Sequence, residues 1–284
     1  MEMNSNYNNI YAAGGTGNVF GRIDAADVID LAAWRSAAGT DSNSISANPL
    51  FVSDAELHID TTQLSPVNNA GIPIAGITSD IDNNIRSLTT PDIGADEFAY
   101  TSNTITLDLG LFIEGFYNAG SNLQESDTVK IYLRNSSAPY SMADSSKAVV
   151  SDSGKATLTF SNAATGNYYI ELTHRNSIEA WSANAVAMSR GNTVNYDFKN
   201  SASQAYGNNM KQVDNSPVRF AIYSGDVNQD GAINLVDITD IYNNSVSFIT
   251  GYVVTDLDGN NTVDLSDITL AYNNSVNFVI VRKP

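Results

Sequence analysis

The stretch from Asp226 to Asp267 carries one short pattern twice, and it restricts what the end of this chain can become. The first copy reads GDVNQDGAINLVD and the second TDLDGNNTVDLSD. Counted from Asp226, oxygen-bearing side chains fall at positions 1, 3, 5, 9 and 12: Asp226, Asn228, Asp230, Asn234 and Asp237. Counted from Asp256, the same positions hold Asp256, Asp258, Asn260, Asp264 and Asp267. Alternate residues of a tight loop turn inward, and the backbone carbonyl of position 7, here Ala232 and Thr262, completes the ring. A hard cation that takes about six to eight oxygens fits that spacing, so the expected cofactor is calcium, two ions. Gly231 permits the sharp turn at position 6; Asn261 holds that place in the second copy and tolerates a positive φ better than most residues. Position 12 is aspartate in both copies, a shorter carboxylate than the glutamate of the general loop. The competing reading is a pair of Asx-rich turns without metal; the doubled match at every ligand position favours the cage.

The repeat has a period of 30 residues and continues past the loops. Ile238-Thr239 matches Ile268-Thr269, Tyr242 to Val246 matches Tyr272 to Val276, and Phe248 matches Phe278. A short helix is expected after each loop, over Val236–Tyr242 and Ser266–Tyr272.

The remainder reads as mainly β. Ile105, Leu107, Leu109 and Leu111 alternate with Thr104, Thr106, Asp108 and Gly110, as a half-buried strand does. Further strands are expected over residues 128–133, 147–150, 156–160, 168–173, 182–188, 193–198 and 218–223, separated by turn signals such as Asp152-Ser153-Gly154. That series predicts an antiparallel β-sandwich over residues 101–224, with a boundary at Thr101-Ser102-Asn103. Residues 1–100 hold short apolar pieces broken by Asn, Asp, Gly and Pro, including an Ile10-Tyr11 pair, Pro49 to Val52, Leu57-His58-Ile59 and Pro73-Ile74. One helix is expected over Ala25–Ala38, capped by Asp24, stapled by Ile23 and Val28 and stopped by Gly39.

Composition narrows the function. Fourteen basic residues against 31 acidic ones give a formal charge of −17, which repels phosphate backbones and anionic lipid, so no nucleic-acid partner and no membrane insertion are expected. There is no cysteine, which excludes thiolate chemistry, and the two histidines, His58 and His174, are too few for a multi-histidine zinc site. No apolar run approaches the roughly 20 residues of a membrane span, and Met1 leads straight into polar sequence rather than a signal peptide. Abundant Asn, Ser, Thr, Gly and Tyr suggest an extracellular or cell-surface location. Asp80, Asp82, Arg86, Asp92, Asp96 and Glu97 form a charged cluster, read either as an anion or metal site or as turn chemistry with a capping salt bridge. His58 reads as a structural histidine, Trp34 and Arg35 as packing and surface residues. Trp181 reads as a core or edge tryptophan, with a sugar-stacking platform as the other possibility.

Three resemblances overlie these readings. "NPLFVSDAELHID", "SDIDNNIRS" and "PDIGADEF" resemble the last coils of secreted right-handed parallel β-helix proteins of the pectate-lyase-like kind. The match covers about residues 7–98 and implies terminal coils whose open edge offers unpaired backbone groups. "GNYYIELTHRNSIEAWSA" resembles the sandwich modules that precede dockerins in secreted bacterial proteins, a likeness that implies no activity and gives His174, Arg175, Asn176 and Glu179 a structural role. The duplicated loop over about residues 225–280 resembles the dockerin module, which implies a cohesin-like partner. The basic pair common late in cellulosomal dockerin helices is replaced by Asn-Asn-Ser-Val, so docking on the neighbouring sandwich or on another copy is also expected.

No serine–histidine–acid or paired-carboxylate set stands out, so no catalytic residue is assigned. The expected function is a non-catalytic, calcium-stabilised structural or assembly protein that self-associates head to tail into filaments. The alternatives are the C-terminal part of a β-helix polysaccharide lyase or hydrolase held through its dockerin, and a glycan-binding adhesin.

Overall fold

The computed structural model describes residues 5–11, 19–100 and 103–284. Thr101 and Ser102 of the expected boundary therefore lie outside the described residues, as do positions 12–18. Two compact units emerge, Met1–Asn103 and Thr104–Pro284.

In the first unit, β1 (Gly21–Ile23) and β2 (Ala26–Val28) form an antiparallel hairpin, followed by α1 (Leu31–Ala38) and a second hairpin of β3 (Phe51–Ser53) and β4 (Glu56–Ile59). The helix starts later than the sequence suggests. Asp24 and Ala25 take φ of 47° and 68°, the double left-handed pair of a tight hairpin turn, so Asp24 serves the turn instead of capping a helix. The cap is Asp30, which accepts from the Ala33 amide at 2.8 Å, and Gly39 ends α1 in the left-handed region at φ 67°. Burial pushes the Asp41 carboxyl up, but hydrogen bonds from Ser44, Trp34, Asn8 and Ser5 hold it well below the usual range and tie α1 to the segment before it. Arg35 donates to the Asp41 and Ser44 carbonyls, so Trp34 and Arg35 are packing residues. Parallel pairing is confined, among the described residues of this unit, to the Asn9–Ile45 bridge, and the named strands pair as antiparallel hairpins. A ladder of stacked parallel coils is thus not seen among the described residues. The turn at Asp24-Ala25 and the one-residue irregularity between Phe51 and Ser53 fold these short strands back on themselves.

The second unit is built on two sheets. One has three strands in the order β10 (Lys155–Phe160), β5 (Ile105–Gly110), β14 (Thr193–Asp197). The other runs β12 (Ser177–Trp181), β11 (Gly166–His174), β8 (Asp127–Asn135), β9 (Met142–Val150), with β13 (Val186–Met188) also on β11. Period-two alternation sends Ile105, Leu107 and Leu109 of β5, Val129, Ile131 and Leu133 of β8, and Leu158 and Phe160 of β10 into one core. The sandwich is not wholly antiparallel, because β14 runs parallel to β5 from Thr193–Thr106 to Asp197–Gly110. Two small hairpins, β6 (Tyr117–Asn118) with β7 (Leu123–Gln124) and β15 (Lys211–Asn215) with β16 (Val218–Ala221), flank the sheets. Then come α2 (Leu235–Val246) and α3 (Leu265–Ser275), which pack together over Val227, Ile241, Leu257, Val263 and Ala271. Among the described residues no helix is long and apolar enough to cross a membrane.

Candidate metal centre and its contact with the sandwich

Each loop delivers its position-12 aspartate from the first turn of the helix that follows. Asn234 and Asp264 cap α2 and α3, and both form a full capping box with Asp237 and Asp267. The box points each position-12 carboxylate back across its own loop. Asp237 accepts from the Val227 and Asn234 amides at 3.0 Å each, and Asp267 from Leu257 at 2.6 Å and Asp264 at 2.8 Å. Position 1 closes the other end: Asp226 accepts from the Asp230 and Gly231 amides, Asp256 from Gly259 and Asn261. Gly231 has φ 89° and Asn261 φ 67°, so both position-6 residues adopt the left-handed turn that the spacing requires. At position 7, Ala232 forms a β-bridge with Ile280 and Thr262 one with Thr250, so each loop is stitched to the segment that follows the other helix.

The carboxylates are crowded and desolvated. Asp226, Asp237, Asp256 and Asp267 are all buried. Burial, with Asp237 and Asp230 nearby, pushes the Asp226 carboxyl up to about 6. Burial, with Asp267 and Asp256 nearby, pushes Asp258 up to about 6 as well, and burial raises Asp267. Like charges held this close lack a positive partner inside the loop, and a divalent cation would supply it. The predicted ligands of the second copy converge, with one oxygen from each of Asp256, Asp258 and Asp267 inside a 4.8 Å span. In the first copy position 3 is Asn228 rather than an acid, and the three acids present, Asp226, Asp230 and Asp237 at positions 1, 5 and 12, do not gather to that limit. The remaining predicted positions, Asn228, Ala232, Asn234, Asn260, Thr262 and Asp264, lie on the same two loops, and Asn228, Asn260, Asn234 and Asp264 each accept from an amide two residues on.

The second loop is also tied to the sandwich. Asn176 Nδ2 donates to the Asp256 carbonyl at 2.8 Å. Arg175 donates to the Val253 carbonyl and, through Nε, to Asp127 Oδ2 at 2.8 Å, and its Nη2 lies 3.9 Å from Asp256 Oδ2. Its guanidinium covers the Tyr252 ring at 4.3 Å, while Tyr252 Oη donates to Asp127 Oδ1 at 2.6 Å. Burial pushes the Asp127 carboxyl up, yet His174, Arg175 and Tyr252 hold it well below the usual range. Burial depresses His174, so the ring is neutral; its Nε2 donates to Asp127 at 3.1 Å and its Nδ1 accepts from the Ser177 hydroxyl at 3.0 Å. A second contact joins α3 to the sheet: Asn274 Nδ2 donates to Glu114 Oε2 at 2.6 Å and to the Ser224 carbonyl at 2.8 Å. Gly115 is required there, since a Cβ would lie 2.1 Å from the Leu257 carbonyl oxygen. Ile178 of the sandwich packs with Ile233 and Val279.

Sequence reasoning did not assign Arg175, Asn176, Asp127, Tyr252 or Glu114 to this contact. The phrase His174-Arg175-Asn176 was the available signal, and it forms the turn between β11 and β12 as well as the face that meets the second loop. Trp181 is 4% exposed, with its indole donating to Glu179, so it is a core residue and not a sugar-stacking platform.

No protein-family model matches the chain, and no curated protein matches it. Among solved structures it is similar to a chain of a C-terminal interface mutant of a type II cohesin–X–dockerin complex from Acetivibrio cellulolyticus. The two are 18% identical with a TM-score of 0.36, over 60% of this chain and 94% of that one. A chain of an N-terminal interface mutant of the complex is 17% identical, TM-score 0.33, over 61% and 93%.

Proposed function

We propose that this chain is a non-catalytic, calcium-stabilised assembly protein of the extracellular or cell-surface space. Residues 225–284 hold two calcium ions through the two oxygen cages and present a docking face for another protein module. The observation that carries the reading is a doubled set of exposed apolar residues on α2 and α3 and in the turn that follows each helix. Leu235 and Leu265 are each 72% exposed, Tyr242 and Tyr272 54% and 56%, Val246 and Val276 52% and 51%, Phe248 and Phe278 86% and 83%. Phenylalanines so exposed at both matched positions cost solubility unless a partner covers them. The occupant is a cohesin-like module with a complementary apolar surface, in line with the dockerin resemblance of the repeat.

A second reading, head-to-tail self-association into filaments, is favoured by a separate observation. The first unit exposes Ile72, Ile74, Ile77, Ile81, Ile85 and Leu88, five of them at 52% or more. One chain thus carries two unlike apolar faces, as an open heterologous contact requires. Light scattering and electron microscopy of the purified chain, with and without chelator, separate the two. A calcium-dependent polymer that Phe248→Ser with Phe278→Ser dissolves supports self-association. A monomer that binds a cohesin module only in calcium, and loses it in the same double variant, supports the first reading. A monomer that binds neither contradicts both.

A further inference from the structure

The charged cluster of the first unit divides cleanly when its hydrogen bonds are followed. Asp80 accepts from the Asp82, Asn84 and Glu97 amides, Asp92 from Asn69 and Phe98, and Glu97 from Ser87 and Asp92. Arg86 pairs with Glu97 at 3.5 Å and donates to the Asp92 and Gly94 carbonyls. Those four are turn and capping residues. Asp82 and Asp96 are not used in this way. Asp82 Oδ2 lies 2.7 Å from His58 Nε2, and Asp96, which among the described residues accepts from the Ile59 amide at 3.2 Å, closes on the same point. One atom from each of His58, Asp82 and Asp96 falls inside a 4.8 Å span. No lysine or arginine among the described residues pairs with Asp82 or Asp96.

We propose that His58, Asp82 and Asp96 form a binding site for one zinc-class divalent transition ion, distinct from the two calcium loops. Three features support this chemistry. The donor set is one imidazole nitrogen with two carboxylates, drawn from β4, the turn at 80–85 and the segment before Glu97, and an imidazole excludes calcium and magnesium as the intended ion. Glu56 holds the far nitrogen, Nδ1, which fixes the ring and leaves Nε2 to face Asp82 and Asp96. A carboxylate behind a ligating histidine is how protein metal sites orient that ring. Finally, the three donors cover one side only, and the cluster is open to solvent, with His58 49% and Asp82 48% exposed in their side chains. A tetrahedral ion there would keep its fourth position for water or an incoming group. Two ligands at about 2.05 Å from such an ion lie about 3.3 Å apart, so Asp82, now 2.7 Å from Nε2, need withdraw by only about 0.6 Å.

The test uses the whole chain in excess calcium, which occupies the oxygen cages. Cobalt(II) is titrated and the visible d–d absorption recorded, with zinc followed by calorimetry. The expected result is one tightly held ion per chain with the intense absorption of a low-coordinate site. Asp82→Asn and Asp96→Asn should each weaken binding at least tenfold, and Glu56→Gln by about 10–100-fold. Because the chain has only two histidines, nitrogen NMR of the wild type gives a readout that no variant's misfolding can disturb. Zinc should move the His58 Nε2 resonance and leave buried His174 unchanged. Cobalt or zinc binding that is absent in the wild type, or equal in wild type and the Asp82→Asn variant, overturns the proposal and leaves His58 as an imidazolium held between carboxylates.

Discussion

The two halves of the C-terminal repeat share their loop spacing, their capping boxes and their exposed apolar residues, yet they meet the sandwich differently: the first loop packs Ile233 on Ile178 and bonds the Ser177 carbonyl through Gln229, while the second half engages the charged and buried polar groups Arg175, Asn176 and Glu114. The difference comes from a few positions. Asp240 and Ile241 of α2 correspond to Leu270 and Ala271 of α3. Leu270 reaches Gly115, and Ala271 leaves space for the backbone of Gly225, where a Cβ would lie 3.2 Å from the Ala271 Cα. The matched asparagines diverge in the same sense: Asn244 bonds Thr255 within the module, while Asn274 is fully buried against Glu114 and Ser224. A duplicated motif thus keeps its loop turns and capping boxes in both copies and spends its sequence differences on how each copy meets the sandwich.

Breaking the contact of the second loop should have the largest effect. Arg175→Ala removes a partner of buried Asp127 and is expected to cost about 3–5 kcal/mol, against about 0.5–1.5 kcal/mol for Gln229→Ala, which bonds the Ser177 carbonyl from the first loop. Denaturant unfolding of both variants checks this; equal losses would erase the asymmetry. Exchanging the core residues comes next. Ile241→Ala opens a cavity worth about 2–5 kcal/mol, and Ala271→Ile overpacks against Gly225 by about 1–3 kcal/mol, both read by calorimetric unfolding. Smaller still, Asn274→Ala should cost about 1–3 kcal/mol by stranding buried partners, and Asn244→Ala about 0.5–1.5 kcal/mol.

A pH series sharpens the comparison with the smallest perturbation. Asp226 and Asp258, both raised to about 6, take up protons below that pH and then compete with calcium, so apparent affinity at both loops should fall as pH drops through about 6. Without calcium the sign is opposite. The raised folded-state values give the metal-free module a stability that is fully present below the unfolded carboxylate pKa and lost as pH rises through about 6. Thermal unfolding in chelator at pH 4.5 and 7.5 checks that order.

The oxygen spacing, the left-handed Asn261, the helix after each loop and most sandwich strands were legible in the sequence, because each is fixed by local chemistry or by period-two alternation. What was not legible depends on partners distant in the chain. Asp24 looked like a helix cap until its neighbour Ala25 also turned left-handed. The parallel pairing of β14 with β5 leaves no mark on the alternation within either strand. Arg175 and Asn176 face residues about 80 positions away, and Asn274 is identical to Asn244 in sequence, so nothing local separates a buried bridge from a module-internal bond. The departures at Leu270 and Ala271 were the signal that the two halves of the repeat have different surroundings.

Calorimetric calcium titration of the wild-type chain, with Asp226→Ala and Asp256→Ala isolating one loop each, tests the account most directly. The second loop offers four carboxylates at its ligand positions where the first offers three, and the sandwich also fixes it, so it should bind more tightly. The account predicts two ions per chain, the second loop filling first, and one ion in each variant. A chain that binds no calcium, or a module whose unfolding is the same in calcium and in chelator, would contradict it.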